Sequence, residues 1–296
     1  MMEDPVPSHE IAQPRGASRR TEPLDLLREG EGLLSPLERG QIRFIRKSLE
    51  PGNLDSSLRW LQRHIGANWI EASIRNLRHV YGTERMPRFD PAKSYVLVSN
   101  HRSFFDLYVV TGYLVKRGLP HRILFPVRSN FFYDHPFGPV VNGVMSFFAM
   151  YPPVFRDRKR QGLNLAGIDE TASLLQRGGV FVGLHPEGAR NRTDDPYTLL
   201  PAQSGVGRII HRARATVIPV FVHGLGNAIV SQIASNATRT GRKVVVVFGR
   251  PLELDDLFKE APSPRAFRRV SERARDAISA LGEEERALRA QLEGSR

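Results

Sequence analysis

The seven residues Asn100-His101-Arg102-Ser103-Phe104-Phe105-Asp106 set a histidine and an aspartate five positions apart, directly after the apolar run Ser94–Ser99. Two readings stand. In one, Ser103 caps a helix and Asp106 is an acid favoured near the positive end of its dipole. In the other, His101 is a general base and Asp106 its orienting acid. A carboxylate bonded to one ring nitrogen fixes the tautomer and leaves the other nitrogen to take a proton.

Three further polar clusters follow apolar runs. In His185-Pro186-Glu187-Gly188-Ala189-Arg190, Glu187 and Arg190 share a face of a helical turn. They form either an ion pair closing the turn or an anion clamp, with the Arg190 fork on a phosphate and Glu187 orienting a hydroxyl or the arginine. Gly188 permits close backbone approach. Phe155 to Arg160 puts four cations around Asp157, either a solvated run or a second phosphate or headgroup site. The fourth cluster, His223 to Asn227, follows the run Thr216–Val222.

Several chemistries are excluded. Cysteine is absent, which removes disulfides, cysteine-ligated zinc and a cysteine nucleophile. There is no Gly-x-Ser-x-Gly and no His-Glu-x-x-His, and His185-x-Glu187 has no Pro-Cys-x-x-Cys partner. No metal site is expected. The net charge of +12 over 296 residues favours anionic partners, yet no helix-turn-helix or RNP pattern points to nucleic acid. The longest uncharged run, Pro136–Phe155, is interrupted by four prolines and two glycines. It reads as buried or membrane-contacting structure and not as a span. The first residues lack an apolar core, so no signal peptide is expected.

These clusters need strand ends to hold them. Runs at Ser94–Ser99, Arg122–Val127, Val180–Leu184, Thr216–Val222, Lys243–Phe248 and near Ala149–Phe155 read as strands apolar on both faces. They alternate with helices at Phe104–Lys116, Leu163–Arg177, Val206–Arg212 and Pro264–Leu281. This predicts an α/β fold, a largely parallel (mixed) sheet flanked by helices, over residues 83–262.

Residues 1–34 are expected to be a disordered tail. Residues 35–82 carry amphipathic helices: one opened by Ser35-Pro36-Leu37-Glu38 and broken at Pro51-Gly52-Asn53, the other from about Leu54 to Tyr81. In the second, Leu58, Leu61, Ile65, Trp69, Ile74, Leu77 and Tyr81 form one stripe, and Arg59, Arg63, Arg75 and Arg78 lie on or beside the other face. It either docks on the core or lies in a lipid interface. Residues 263–296 form a C-terminal helix and a charged tail, expected to fray from Glu283.

The ordered set of clusters resembles the motifs of the glycerolipid acyltransferases, the PlsC-like lysophospholipid and glycerol-phosphate acyltransferases, over roughly residues 90 to 225. Asn100 to Asp106 matches Asn-His-x-Ser-x-x-Asp. Phe155-Arg156-Asp157-Arg158 is similar to Phe-Ile-Asp-Arg, His185 to Arg190 to Phe-Pro-Glu-Gly-Thr-Arg, and Ile218-Pro219-Val220 to an apolar strand motif. The chain departs from the pattern at Arg156, His185 and Ala189, and it lacks the lysines often found where Gln203 and Ser204 stand.

The resemblance implies a glycerol-phosphate-acyltransferase-like fold and an enzyme of phospholipid biosynthesis or remodelling. A fatty acyl group would pass from acyl-CoA or acyl-carrier protein to a hydroxyl of a phosphorylated glycerolipid. The best acceptor is 1-acyl-sn-glycerol 3-phosphate, giving phosphatidate. The alternatives are a glycerol-3-phosphate or other lyso-lipid acyltransferase, and, in another class, a non-catalytic basic membrane-binding protein. It implies His101 and Asp106 as the catalytic residues. Glu187, Gly188, Arg190, Arg158, Asn100 and Ser103 would bind substrate, and no cofactor beyond the acyl donor is needed. Backbone N–H groups near the Phe104 helix start would stabilise the oxyanion, and Pro136–Phe155 would border the acyl path. The expected setting is peripheral, on the cytoplasmic side of an anionic membrane, touching it through the N-terminal helices.

Overall fold

The computed structural model describes residues 23–294. Seven strands form one sheet: β1 Arg78–Tyr81, β2 Tyr95–Ser99, β3 Arg122–Arg128, β4 Met150–Val154, β5 Val180–Leu184, β6 Thr216–His223 and β7 Val244–Phe248. Their spatial order is β1-β7-β6-β2-β5-β3-β4. All neighbours are parallel except β6 and β7. Every residue of β2, β5 and β7 is buried, which explains their unbroken apolar sequences.

The α-helices in chain order are α1 Leu26–Glu29, α2 Pro36–Ser48, α3 Asn53–Leu61, α4 Ala67–Ile74, α5 Asp106–Lys116, α6 Ser129–Phe132, α7 Gly138–Ser146, α8 Leu163–Arg177, α9 Ser204–Ala213, α10 Ile229–Thr238, α11 Asp255–Phe258 and α12 Pro264–Gly294. The crossover from β2 to β3 runs one way across the sheet; those from β4 to β5 and from β5 to β6 run the other way. With right-handed connections, α5 covers one face while α8 and α9 cover the opposite face. Packing agrees: α4 joins α5 and α10 in one layer, and α12 and α1 join α9 and α8 in the other. The mixed, mostly parallel sheet between helical layers is the expected fold class. The six expected strands are present within two residues of their expected ends.

Four expectations are corrected. The helix from Leu54 to Tyr81 is interrupted by a π-turn, Gln62–Gly66, and stops at Ile74. The π-turn rotates the stripe, so that Ile65 is 46% exposed while Gln62 turns inward to the main chain of Ile123 and Phe147. The segment then becomes β1, parallel to β7, and the N-terminal region is part of the sheet. Of the expected tail, residues 1–22 lie outside the described residues. Asp25 caps α1 by accepting from Leu27 N and Arg28 N, and Leu26 is fully buried.

At the other end, the helix expected to fray from Glu283 continues to Gly294. The fully buried Glu285 accepts from Arg289 Nε at 2.8 Å, and the Arg289 guanidinium also donates to Lys243 O and His223 O. Glu285 and Arg289 are therefore internal partners, while Glu283, Arg286 and Glu293 lie on the exposed face. Finally, α6, α7, α10 and α11 had no counterpart among the expected helices. The uncharged run Pro136–Phe155 divides between α7 and the buried strand β4. No described helix is long and apolar enough to cross a membrane.

Candidate active site

Strand β2 lies between β6 and β5, so the carboxyl ends of three parallel strands open on one crevice at the point where the crossovers reverse direction. The loop after β2 carries His101. Its peptide is gripped from both sides by the loop after β5: His101 N donates to Glu187 Oε1 at 2.8 Å, and His101 O accepts from Asn191 N at 2.7 Å. The His101 ring stacks on His185, with centroids 3.8 Å apart and planes 10° from parallel. Its Nδ1 lies 3.5 Å from Asp106 Oδ2.

Asp106 is the first residue of α5 and is buried. The same Oδ2 accepts from Arg102 N at 2.8 Å and Ser103 N at 2.7 Å. The aspartate thus closes the turn that carries His101. The helix begins at Asp106, and Ser103 is not its N-cap. Burial pushes the Asp106 carboxyl up to about 6, against the opposing pull of His185 and those two N–H bonds. Burial, helped by the charges of Arg190 and Arg128, brings His101 down to about 4, and burial brings His185 down to about 3. At neutral pH both imidazoles are uncharged and Asp106 is an anion. Nδ1 is the ring nitrogen that faces that anion, and a proton held there would leave the lone pair on Nε2. The side chain is 20% exposed, so a ligand in the crevice can reach it. The arrangement can accept a proton from an attacking hydroxyl and stabilise the resulting imidazolium.

The remaining expected residues divide by what they touch. Glu187, 3% exposed, does not pair with Arg190: its second oxygen accepts from Leu200 N at 2.8 Å. It ties two loops together under His101. Asn100 Nδ2 donates to Val222 O, and its Oδ1 accepts from Val222 N, both at 2.8 Å, locking the β2 end to β6. Ser103 Oγ donates to Gly226 O at 2.9 Å. Both side chains are buried and their polar atoms are bonded inside the protein, so Asn100 and Ser103 frame the crevice.

Gly188 is exposed at φ +65°, and its turn brings Gly188 N to His185 O at 3.0 Å. Arg190 is exposed and donates to Asn227 Oδ1 at 3.2 Å. Of the basic run, Arg158 stays at the exposed surface, while Arg156 reaches the site loop and donates to Gly188 O at 2.8 Å. Arg128, at the carboxyl end of β3, is a further cation acting on His101. Its position after an apolar strand was a readable signal that the motif clusters hid. The N–H groups near the start of α5 are already bonded: Phe104 N to Asn227 Oδ1 and Phe105 N to Ser103 Oγ, each at 3.2 Å, and those of residues 102 and 103 to Asp106. The expected backbone oxyanion donors are therefore occupied, which leaves the cations as the charges facing the crevice.

Residues 77–223, spanning β1 to β6 with His101, Asp106, Glu187 and Arg190 among them, match the family model described as Acyltransferase. These residues form an acyltransferase-family domain. Human 1-acyl-sn-glycerol-3-phosphate acyltransferase alpha is 28% identical over 159 residues, covering 52% of this chain and 50% of the relative. The mouse alpha enzyme is 31% identical over 155 residues, covering 52% and 45%. The chain thus spans about half the length of the curated relatives it matches. Among solved structures, the 1-acyl-sn-glycerophosphate (LPA) acyltransferase PlsC of Thermotoga maritima is similar in fold, with a TM-score of 0.51 at 17% identity, covering 88% of this chain and 94% of that one. Both His101 and Glu187 fall inside the segment that this acyltransferase model matches.

Proposed function

We propose that the protein transfers a fatty acyl group from a thioester donor, acyl-CoA or acyl-carrier protein, to the free hydroxyl of 1-acyl-sn-glycerol 3-phosphate, giving phosphatidate. The observation that carries this reading is His101 with the buried Asp106 3.5 Å from its Nδ1 and the charges of Arg190 and Arg128 acting on it, while Arg156 reaches Gly188 O on the adjoining loop. A base alone would serve many hydroxyl nucleophiles. A base ringed by cations suits one whose neighbour is a phosphate. His101 Nε2 takes the hydroxyl proton as the oxygen attacks the thioester carbonyl. The new ester C–O bond forms, the C–S bond breaks, and the imidazolium returns its proton to the leaving thiolate. Arg190 and Arg156 hold the phosphate, and the cationic field steadies the oxyanion. In this reading Arg158 supplies charge at the rim.

Two cavities border α5. An apolar cavity of about 30 Å³, lined by Tyr108, Gly112, Phe125 and Phe147, shares Gln62 and Val115 with a second cavity of about 240 Å³ at the far end of that helix. Exposed Phe131, Phe137, Val140 and Val144, on and around α6 and α7, together with Trp60 and Ile65, suit peripheral contact with an anionic membrane. The test is purified protein with each donor against lysophosphatidate, glycerol 3-phosphate and lyso-lipids with other headgroups, read by product mass. Phosphatidate from lysophosphatidate is the expected dominant product. Transfer to none of the acceptors contradicts the reading.

A further inference from the structure

His185 stands where the family pattern has phenylalanine, and the proton-transfer scheme gives it no role. Its ring lies 3.8 Å from His101, face to face at 10°. Its Nδ1 donates to Ser99 O at 3.1 Å, at the last residue of β2. Asp106 is a weaker hold on the His101 ring. Its Oδ2 already accepts two peptide N–H groups, and at 3.5 Å from Nδ1 it lies beyond ordinary hydrogen-bond length. Glu187 grips only the main chain of His101, and the Ser103 main chain is the other group bonded to the ring. The other charged groups around the ring, Arg102 on its own loop, Arg190 after β5 and Arg128 at the end of β3, are cations and cannot accept from it.

We propose that His185 is a positioning residue: stacked on His101 and tethered to Ser99, it holds the imidazole in the plane that points Nδ1 to Asp106 and Nε2 into the crevice. This rests on His101 being the base. Phenylalanine at this position would stack but could not be tethered. Leucine would fill space without offering a flat face.

The full-length protein, labelled with ¹⁵N-histidine, is compared with His185→Phe and His185→Leu at pH 7.5 by imidazole NMR and by steady-state transfer. In the wild type, His101 is expected in a single Nδ1–H tautomer. In His185→Leu it averages between tautomers, kcat falls at least about tenfold, and the acceptor KM stays within about twofold, as misorientation without lost binding requires. His185→Phe is expected between the two. A folded His185→Leu protein with wild-type tautomer and kcat overturns the proposal. If the leucine variant fails to fold, His185→Phe decides: unchanged tautomer exchange together with unchanged kcat overturns it. Should the wild type transfer no acyl group, the functional reading fails, and the tautomer comparison still decides the positioning claim.

Discussion

Glu187 holds His101 by its main chain: one carboxylate oxygen accepts His101 N at 2.8 Å and the other accepts Leu200 N at 2.8 Å, with the side chain 3% exposed. Two residues from different motifs are thereby one unit. Glu187→Gln replaces one acceptor oxygen with an N–H₂ that meets a buried N–H. Stability should fall by about 1–3 kcal/mol in a denaturant titration, and turnover should fall with it. An unchanged midpoint would show that this carboxylate is not a brace.

Arg190 behaves differently. It is exposed, and its guanidinium donates to Asn227 Oδ1. Arg190→Ala should leave thermal stability nearly unchanged while raising the KM for lysophosphatidate about tenfold or more, the loss of one charge-assisted phosphate contact. Equal KM values in wild type and variant would remove Arg190 from acceptor binding.

Asp106 carries opposite demands for stability and function. Its folded-state pKa is about 6 against 3.8 unfolded. The folded state therefore binds more protons between those values, and stability is lost as pH rises through about 6. Asp106→Asn removes that loss. It should melt above the wild type at pH 8, with the difference vanishing below about pH 4, while turnover drops at least about a hundredfold. A variant that is destabilised at pH 8 and level with the wild type at pH 4 would contradict the assigned burial cost.

The pH profile follows from the same pair. Activity needs Asp106 ionised and His101 neutral, and the higher of the two values is that of Asp106, about 6, with His101 near 4. Below about pH 6, kcat/KM should fall roughly tenfold per unit, and it should be flat from 7 to 8. Constant kcat/KM down to pH 5 would refute this assignment.

The C-terminal helix offers a test away from the chemistry. Glu285 is fully buried against Arg289, which also bonds the ends flanking β6 and β7. Glu285→Ala leaves the guanidinium buried without its counter-charge and should cost about 3–5 kcal/mol. A loss under about 1 kcal/mol would mean the segment frays, as its sequence suggested.

The strands were legible because an all-buried parallel strand must be apolar along its length, and β5 and β7 are apolar at every position. What the sequence hid was conditional on tertiary partners. Arg78 to Tyr81 continues a helical stripe in sequence, yet β7 offers it a sheet edge, and Val244 N bonds Leu77 O at 2.8 Å. Gln62 leaves the helix surface because Ile123 and Phe147 present main-chain groups to it. In the site, the residue types were readable and their grouping was partly misleading. Glu187 and Arg190 are three apart, which suggests a mutual pair, but the turn at Gly188 sends one inward and the other outward. Arg128 carried no motif and was found only by where β3 ends.

The central claim is that His101 is the base for acyl transfer to lysophosphatidate. Its most direct test is single-turnover phosphatidate formation by the purified wild type and by His101→Ala, with circular dichroism to establish that both are folded. A fall of at least about a hundredfold in the rate constant is expected. A folded His101→Ala protein forming phosphatidate at a rate near that of the wild type would contradict the account.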